Sequence, residues 1–230
     1  RSTLFPYTTL FRSVKFVLLH NQINEHSYRM TELKEKIIRQ AKQMFWDYGL
    51  KRVGIDDICN ELHISKKTFY TVFKTKNELI EEILKSVRIE EKQSKEIADN
   101  DNIIEYLISK TNIFRSKTQR DDEKLFQIHF DMKKYYPELF DKHCRLMKED
   151  SEVNTLSILN MGIAQGLFRE DMDLTLTKKL ISEIFSNMLE YSNTNKIPFI
   201  HMMDFCMDTM FRVVCNDKGL EYYNSISNKQ

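Results

Sequence analysis

An all-α protein is what this sequence predicts, and two observations carry most of that reading. Glycine and proline are scarce, with 5 and 3 residues in a chain of 230, whereas sheet proteins and loop-rich enzymes need many turn-forming residues. Apolar residues recur at helical rather than alternating spacing along most of the chain. A third observation bounds the setting. No run approaches the roughly eighteen consecutive apolar residues of a membrane span, so no membrane partner is expected. The expected architecture is a three-helix headpiece followed by a larger helical domain, about nine helices in all.

The first residues stand apart. RSTLFPYTTLFRS, residues 1–13, has no initiating Met and nearly repeats itself, in the manner of a translated sequencing adapter. VKFVLLHNQINEHSYR behind it has a short apolar run and no small-residue cleavage site, which is not a signal peptide. The expectation is a non-native leader over residues 1–29 and a natural start at Met30.

From Met30 the elements follow in order. Thr31 is a candidate cap for a helix whose apolar positions are Leu33, Ile37, Ala41, Phe45 and Tyr48. Gly49 is the expected left-handed stop. Gly54 opens a short second helix with Asp56 and Asp57 in its first turn, complementing the helix dipole. Its apolar face is Ile55, Ile58, Cys59 and Leu62. After a tight connection at His63-Ile64, Ser65 caps a third helix expected to reach Phe73. Thr75 to Glu78 reads as a capping box that opens a long fourth helix, expected to run from Lys76 to about Ala98.

Charge divides the chain. Met30–Glu78 holds ten basic residues against seven acids, and His63–Asn77 has four lysines and no acid. Beyond Leu79 acids outnumber bases by five. A basic segment joined to an acidic one points to an anionic partner for the first alone. On the third helix Phe69 and Phe73 are four apart and share a face, which a short helix must turn inward. Lys66, Lys67, Thr68 and Thr71 then fall on other faces. Lysine suits guanine edges or phosphates, and threonine suits phosphate or a thymine methyl. Spacing alone leaves a DNA reader and a plain helical bundle both open.

Residues 37–80, IIRQAKQMFWDYGLKRVGIDDICNELHISKKTFYTVFKTKNELI, closely resemble the DNA-binding domain of TetR-family transcription regulators. The motifs that carry the resemblance are Phe-x-x-x-Gly ending helix one, Asp-Asp-Ile, Ile-Ser-x-x-Thr-Phe-Tyr, Phe-x-x-Lys and Lys-x-x-Leu. Several ordered motifs together are specific where a lone one is not. The resemblance implies a cytoplasmic regulator, a repressor that binds double-stranded operator DNA. It implies that Lys66, Lys67, Thr68 and Thr71 face base edges or groove backbone, and that the Tyr70 hydroxyl reaches a phosphate. Lys74 and Lys76 join that surface, Lys76 at phosphate near the start of helix four. Two positions depart from the family pattern. Gly54 replaces a frequent Thr, which leaves only its backbone N–H for phosphate. Val72 replaces a commonly polar or aromatic residue, which puts a backbone contact there in doubt. The implied division is a helix-turn-helix domain over 30–78 and an effector-binding and dimerisation domain over 79–230.

In the second part, helices are expected over about 103–117, 123–135, from Pro137 to the MGIAQGLFREDMD turn, 174–193 and 198–216. Gly162 and Gly166 before an acidic turn resemble the family's Gly-x-x-x-Gly and Phe-Arg-x-Asp pattern. The resemblance implies a homodimer through the last two helices, a two-fold arrangement that suits a near-palindromic site. It also implies a cavity for a small-molecule effector of unknown identity. Candidate liners are Tyr106, Phe114, Phe126, His129, Phe130, Met132 and Met161, although aromatic and Met residues at helical spacing are the ordinary material of a core.

Other classes find less support. No Gly-rich phosphate loop, nucleophile–base arrangement or paired His at metal spacing is present, so no enzyme, cofactor or metal is expected. Cys59, Cys144, Cys206 and Cys215 show no ligand spacing and read as reduced thiols. The rival reading is a helical adaptor that uses its basic end on RNA or an acidic protein.

Overall fold

The computed structural model describes residues 7–93, 101–118 and 122–227. Among these the secondary structure is ten helices and one isolated antiparallel bridge. The helices are α1 (Tyr7–Tyr48), α2 (Ile55–Glu61), α3 (Lys66–Tyr70), α4 (Lys76–Gln93) and α5 (Ile103–Thr118). They continue with α6 (Asp122–Tyr135), α7 (Pro137–Ala164), α8 (Leu174–Asn195), α9 (Phe199–Val214) and α10 (Asp217–Ser227). Two compact units result: Arg1–Tyr48 with Arg52–Ile83, and Gly49–Lys51 with Leu84–Gln230.

The first unit is built around aromatic and aliphatic side chains that helical spacing brings to common faces. Ile37, Ala41 and Phe45 of α1, Ile58 of α2, Phe69 of α3, and Phe73, Leu79 and Ile80 are all buried. Phe69 and Phe73 lie 5.8 Å apart in a tilted pair. Two lysines cover ring faces of this core, Lys34 5.9 Å from the Phe73 centroid and Lys76 5.3 Å from that of Phe45. Lys34 also pairs with Glu82 at 2.6 Å. Burying a phenylalanine of this kind contributes about 2–3 kcal/mol.

The second unit has its main core where α5, α7, α8, α9 and α10 meet, on Ile103, Ile104, Leu159, Phe168, Phe211 and Val214. A smaller cluster gathers on Met188, Phe199 and Met203. Its helix ends are closed by side chains. Asn102 accepts the Ile104 and Glu105 amides at 2.9 and 3.3 Å. Asp173 accepts those of Thr175 and Leu176 at 2.9 and 3.0 Å. The carboxylate of buried Asp131 is satisfied by the Lys51 amide at 3.0 Å and the Gln127 side chain at 2.7 Å.

The turn after α7 is clamped against the link from α9 to α10. Gly166 takes φ +65°, and the Phe168 ring lies so close over Gly162 that a Cβ there would meet it at 2.1 Å. Phe168 and Cys215 form the isolated bridge, flanked by Arg169 N–H to Val214 O at 2.9 Å and Asn216 N–H to Leu167 O at 3.1 Å. Gln165 spans to α5, accepting the Ile103 amide at 3.0 Å and donating to the Asp101 carbonyl at 2.8 Å.

Four expectations need correction. Helix α1 starts at Tyr7, not at Thr31; no Gly or Pro interrupts residues 7–48, so nothing forces a start at the potential cap. Helix α3 ends at Tyr70 instead of reaching Phe73, with Thr71 as C-cap. A tenth helix, α10, follows the expected last one. Gly219 sits in its first turn, and a Cβ there would meet the Leu167 carbonyl at 2.0 Å, so only glycine lets the helix lie this close. Helix α8 runs two residues past Asn193, to Asn195, where Lys196 caps it at φ +54°. The expected reach of α4 to Ala98, with Asp99 and Asn100 beyond it, falls outside the described residues.

Candidate nucleic-acid interface

Helices α2 and α3 are joined by a turn whose geometry is set by one residue. His63 adopts φ +53°, and the reversal lets Ile64 N–H reach the Cys59 carbonyl at 3.0 Å while His63 N–H reaches that of Asn60 at 3.2 Å. Paired bonds of this kind close a helix end around a left-handed residue. Histidine is among the non-glycine residues that visit this region, so local spacing predicts a tight connection but not this conformation. Ser65 then starts α3, its hydroxyl accepting the Thr68 amide at 3.0 Å.

With Phe69 fully buried, α3 has a fixed inner face and an outer face carrying the charged and polar residues. Lys66, Lys67, Tyr70, Thr71 and Lys74 are exposed, while Thr68, Lys76 and Gly54 are half-buried. The structure thus gathers most of the expected contact residues on and beside one short helix. Tyr70 is 49% exposed and leans edge-on against Phe69 at 5.7 Å, which holds its ring while the hydroxyl end stays accessible.

Several of these groups already have partners. Lys66 pairs with Asp56 of α2 at 2.8 Å, and that hydrogen bond raises the lysine pKa above its ordinary value. Thr68 shares a hydroxyl contact of 2.8 Å with Ser65. Thr71 donates its hydroxyl to the Thr68 carbonyl at 2.6 Å, so what it presents outward is a methyl and oxygen lone pairs. The Gly54 amide donates to Asp57 at 2.7 Å, and an incoming phosphate would have to displace that carboxylate. Lys76 is drawn over Phe45. The Lys74 amide donates to Glu78, whose own amide donates to Thr75, at 2.7 and 3.1 Å. Asp56 had no place in the sequence reading of this surface. A pair ten positions apart across a turn leaves no local periodic signal.

The candidate effector residues are scattered in the second unit. Tyr106 and Met161 pack on its main core and Phe126 on the smaller cluster. His129 stands edge-on to Phe140 at 5.1 Å, and burial lowers its pKa. Phe130 is exposed and Met132 buried; the Phe114 side chain lies outside the described residues. None of these lines the cavity of about 170 Å³ found among α5, α7, α8 and α9, whose walls include Leu107, Leu159, Phe168 and Ile181. Aromatics at helical spacing fill volume, and a void opens where neighbouring helices fail to fill it. Among the described residues no group of three or more His, Cys, Asp or Glu is placed to hold a metal.

A short lysine-bearing helix, anchored by buried aromatics and set after a tight turn from a second helix, defines a helix-turn-helix protein. Comparison narrows the class. Residues 37–83 match the family described as bacterial regulatory proteins, tetR family. The chain is 27% identical over 154 residues to the HTH-type transcriptional repressor KstR2 of Mycolicibacterium smegmatis, covering 65% of this chain and 74% of that protein. Its fold matches a TetR-family regulator of Agrobacterium tumefaciens with a TM-score of 0.61 at 14% identity, over 81% of this chain and 100% of the other. A TetR regulator of Chloroflexus aurantiacus matches with a TM-score of 0.61 at 18% identity, over 82% and 98%. Residues 37–83 thus carry the tetR-family match, and the chain as a whole shares the fold of TetR-family regulators.

Proposed function

We propose that this chain is a TetR-family transcriptional regulator, a repressor that reads a two-fold operator as a homodimer and leaves it when a small molecule binds the second unit. The observation that carries the DNA-reading part is the outer face of α3, where Lys66 and Lys67 stand exposed on a helix fixed from behind by Phe69, within a stretch His63–Asn77 of four lysines and no acid. In this reading Lys66, Lys67, Thr68 and Thr71 meet base edges or groove backbone. Tyr70, Lys74, Lys76 and the Gly54 amide meet phosphates, the last two after giving up Phe45 and Asp57. DNA reading belongs to residues 30–78, and effector binding and pairing to 79–230. The site of action is the cytoplasm, where bacterial DNA lies.

Pairing through α8 and α9 is supported by apolar side chains left in solvent. Leu176, Leu180 and Ile184 recur every four residues along α8, with Tyr191 further along, and Phe205 and Val213 stand eight apart on α9; all are exposed. Such a stripe on two adjacent helices is suited to a four-helix seam with a second copy.

The test is a gel shift with the DNA upstream of the gene, at two salt concentrations. A discrete shift that survives competitor DNA is expected, and Lys66→Ala with Lys67→Ala should weaken it and reduce the salt slope by about two. A salt-sensitive smear with no discrete complex would instead indicate an adaptor with a basic end. Binding unchanged in the double variant would remove both lysines from the interface.

A further inference from the structure

The cavity in the second unit has a chemical character that its walls define. Its volume is about 170 Å³, and of the ten side chains around it only that of Thr155 is polar. Leu159, Phe168 and Val214 are each 1% exposed and form a fixed back wall. Ile158, Phe185, Met207 and Met210 are only partly buried and form the side toward solvent.

Water has little reason to stay there. A buried water needs two to four polar partners, and Thr155 supplies one hydroxyl. A charged ligand would lose its hydration without meeting a counter-charge, a cost no apolar wall offsets. An apolar cavity of about 150 Å³ is known to stay dry and admit benzene, which sets the scale of a fitting molecule. The two methionines are unbranched and polarizable, so the solvent side can reshape around a somewhat larger guest. The back wall has no such freedom, because Gly162 already touches the Phe168 ring and Phe168 is bridged to Cys215.

We propose that this cavity is the effector site and that its ligand is a small, uncharged, mainly apolar molecule of about single-ring size carrying one hydrogen-bonding group that meets Thr155. The assignment rests on the effector-released repressor reading above. It excludes sugars, nucleotides and carboxylates as occupants of this cavity, and it moves the site away from Phe126, His129 and Phe130. Expansion of the cavity acts on α8 at Phe185 and on α9 at Met207 and Met210, because the back wall, which includes the end of α9 at Val214, cannot yield.

The experiment uses the full chain with benzene, phenol and benzoate as probes, following the methyl resonances of Leu107, Leu159 and Ile181. Benzene and phenol should shift these resonances saturably, and benzoate should not. Thr155→Val should remove the advantage of phenol over benzene, about three- to tenfold, and leave benzene binding intact. Ile181→Phe, which fills the space from one wall, should abolish both. A parallel gel shift should show weaker DNA binding at saturating phenol. Resonances unmoved by either probe, or benzoate binding as well as phenol, would overturn the assignment. So would probe binding that leaves DNA affinity unchanged. DNA binding without probe binding sinks this proposal alone, whereas probe binding by a chain that never binds duplex DNA sinks the repressor reading.

Discussion

Asp56 and Lys66 close an ion pair of 2.8 Å across the corner between α2 and α3. Both side chains are mostly in solvent, at 62% and 60% exposure, so the pair adds little to folding stability. Under the proposed function its effect falls on DNA. A carboxylate beside the reading face masks one cation and repels phosphate, and Lys66 must leave it to reach a duplex. Asp56→Asn should therefore tighten binding to a mixed-sequence duplex and steepen the salt dependence by about one counterion. Salt titrations that superimpose for the two proteins would remove Asp56 from the interface.

The left-handed turn residue gives a stability prediction. His63 holds φ +53° without being glycine, a conformation that costs an ordinary residue about 1 kcal/mol. His63→Gly should raise the unfolding free energy by roughly 0.5–1 kcal/mol, because the native strain outweighs the added freedom of the unfolded chain. Chemical denaturation measures it, and a destabilised variant would mean that the imidazole makes a contact worth more than the strain.

Two glycines should tolerate no side chain, for different reasons. Gly162→Ala would press a methyl into the Phe168 ring, whereas Gly219→Ala would press one into the Leu167 carbonyl. Each should destabilise by about 1–3 kcal/mol. The first should be partly rescued by Phe168→Leu, giving non-additive energies in a double-mutant cycle, and the second should not. Additive behaviour for Gly162 and Phe168 would contradict the contact.

Ser182 is fully buried on α8 and its hydroxyl has no hydrogen-bond partner. Leaving a buried hydroxyl unmatched costs about 1–3 kcal/mol. Ser182→Ala should accordingly be neutral or stabilising, which is unusual for a fully buried site. A clear loss in thermal melting would show that the hydroxyl is satisfied in solution.

The junction of α9 and α10 predicts alkaline sensitivity. Burial pushes the Cys215 thiol from 9.0 up to about 11. Burial together with Asp208 pushes the Tyr223 hydroxyl from 10.0 up to about 12. Both groups fold as neutral acids with raised pKa values, so their contribution is complete below the unfolded pKa. Above it the unfolded chain sheds the proton first, and stability falls as pH rises. Denaturation midpoints should drop between pH 9 and pH 11, and Cys215→Ala should flatten the early part of that fall. A midpoint constant over this range in the parent protein would refute the assignment.

What could be read from the sequence was local. The inward pair Phe69 and Phe73, the Ser65 cap, the Gly49 stop at φ +89° and Pro137 opening α7 each depend on neighbours within a turn or two. Helical spacing and capping chemistry report such relations directly. The features that escaped all depend on distant segments. Asp56 meets Lys66 only because His63 turns back, and glycine is needed at 219 only because Leu167 lies beside it. The cavity is the extreme case, since it consists of what four helices leave unfilled.

Helix α10 has a practical side that the clamp at its root makes plain. Tyr223 stacks on Phe211 with ring centroids 4.4 Å apart, and Asn216 holds the carbonyls of Gly166 and Phe168 at 3.1 and 3.3 Å. A shortened version ending near residue 216, the natural place to trim a polar tail, would strip one face of Phe211 bare. Anyone preparing this protein for crystals or assays should leave its last helix on.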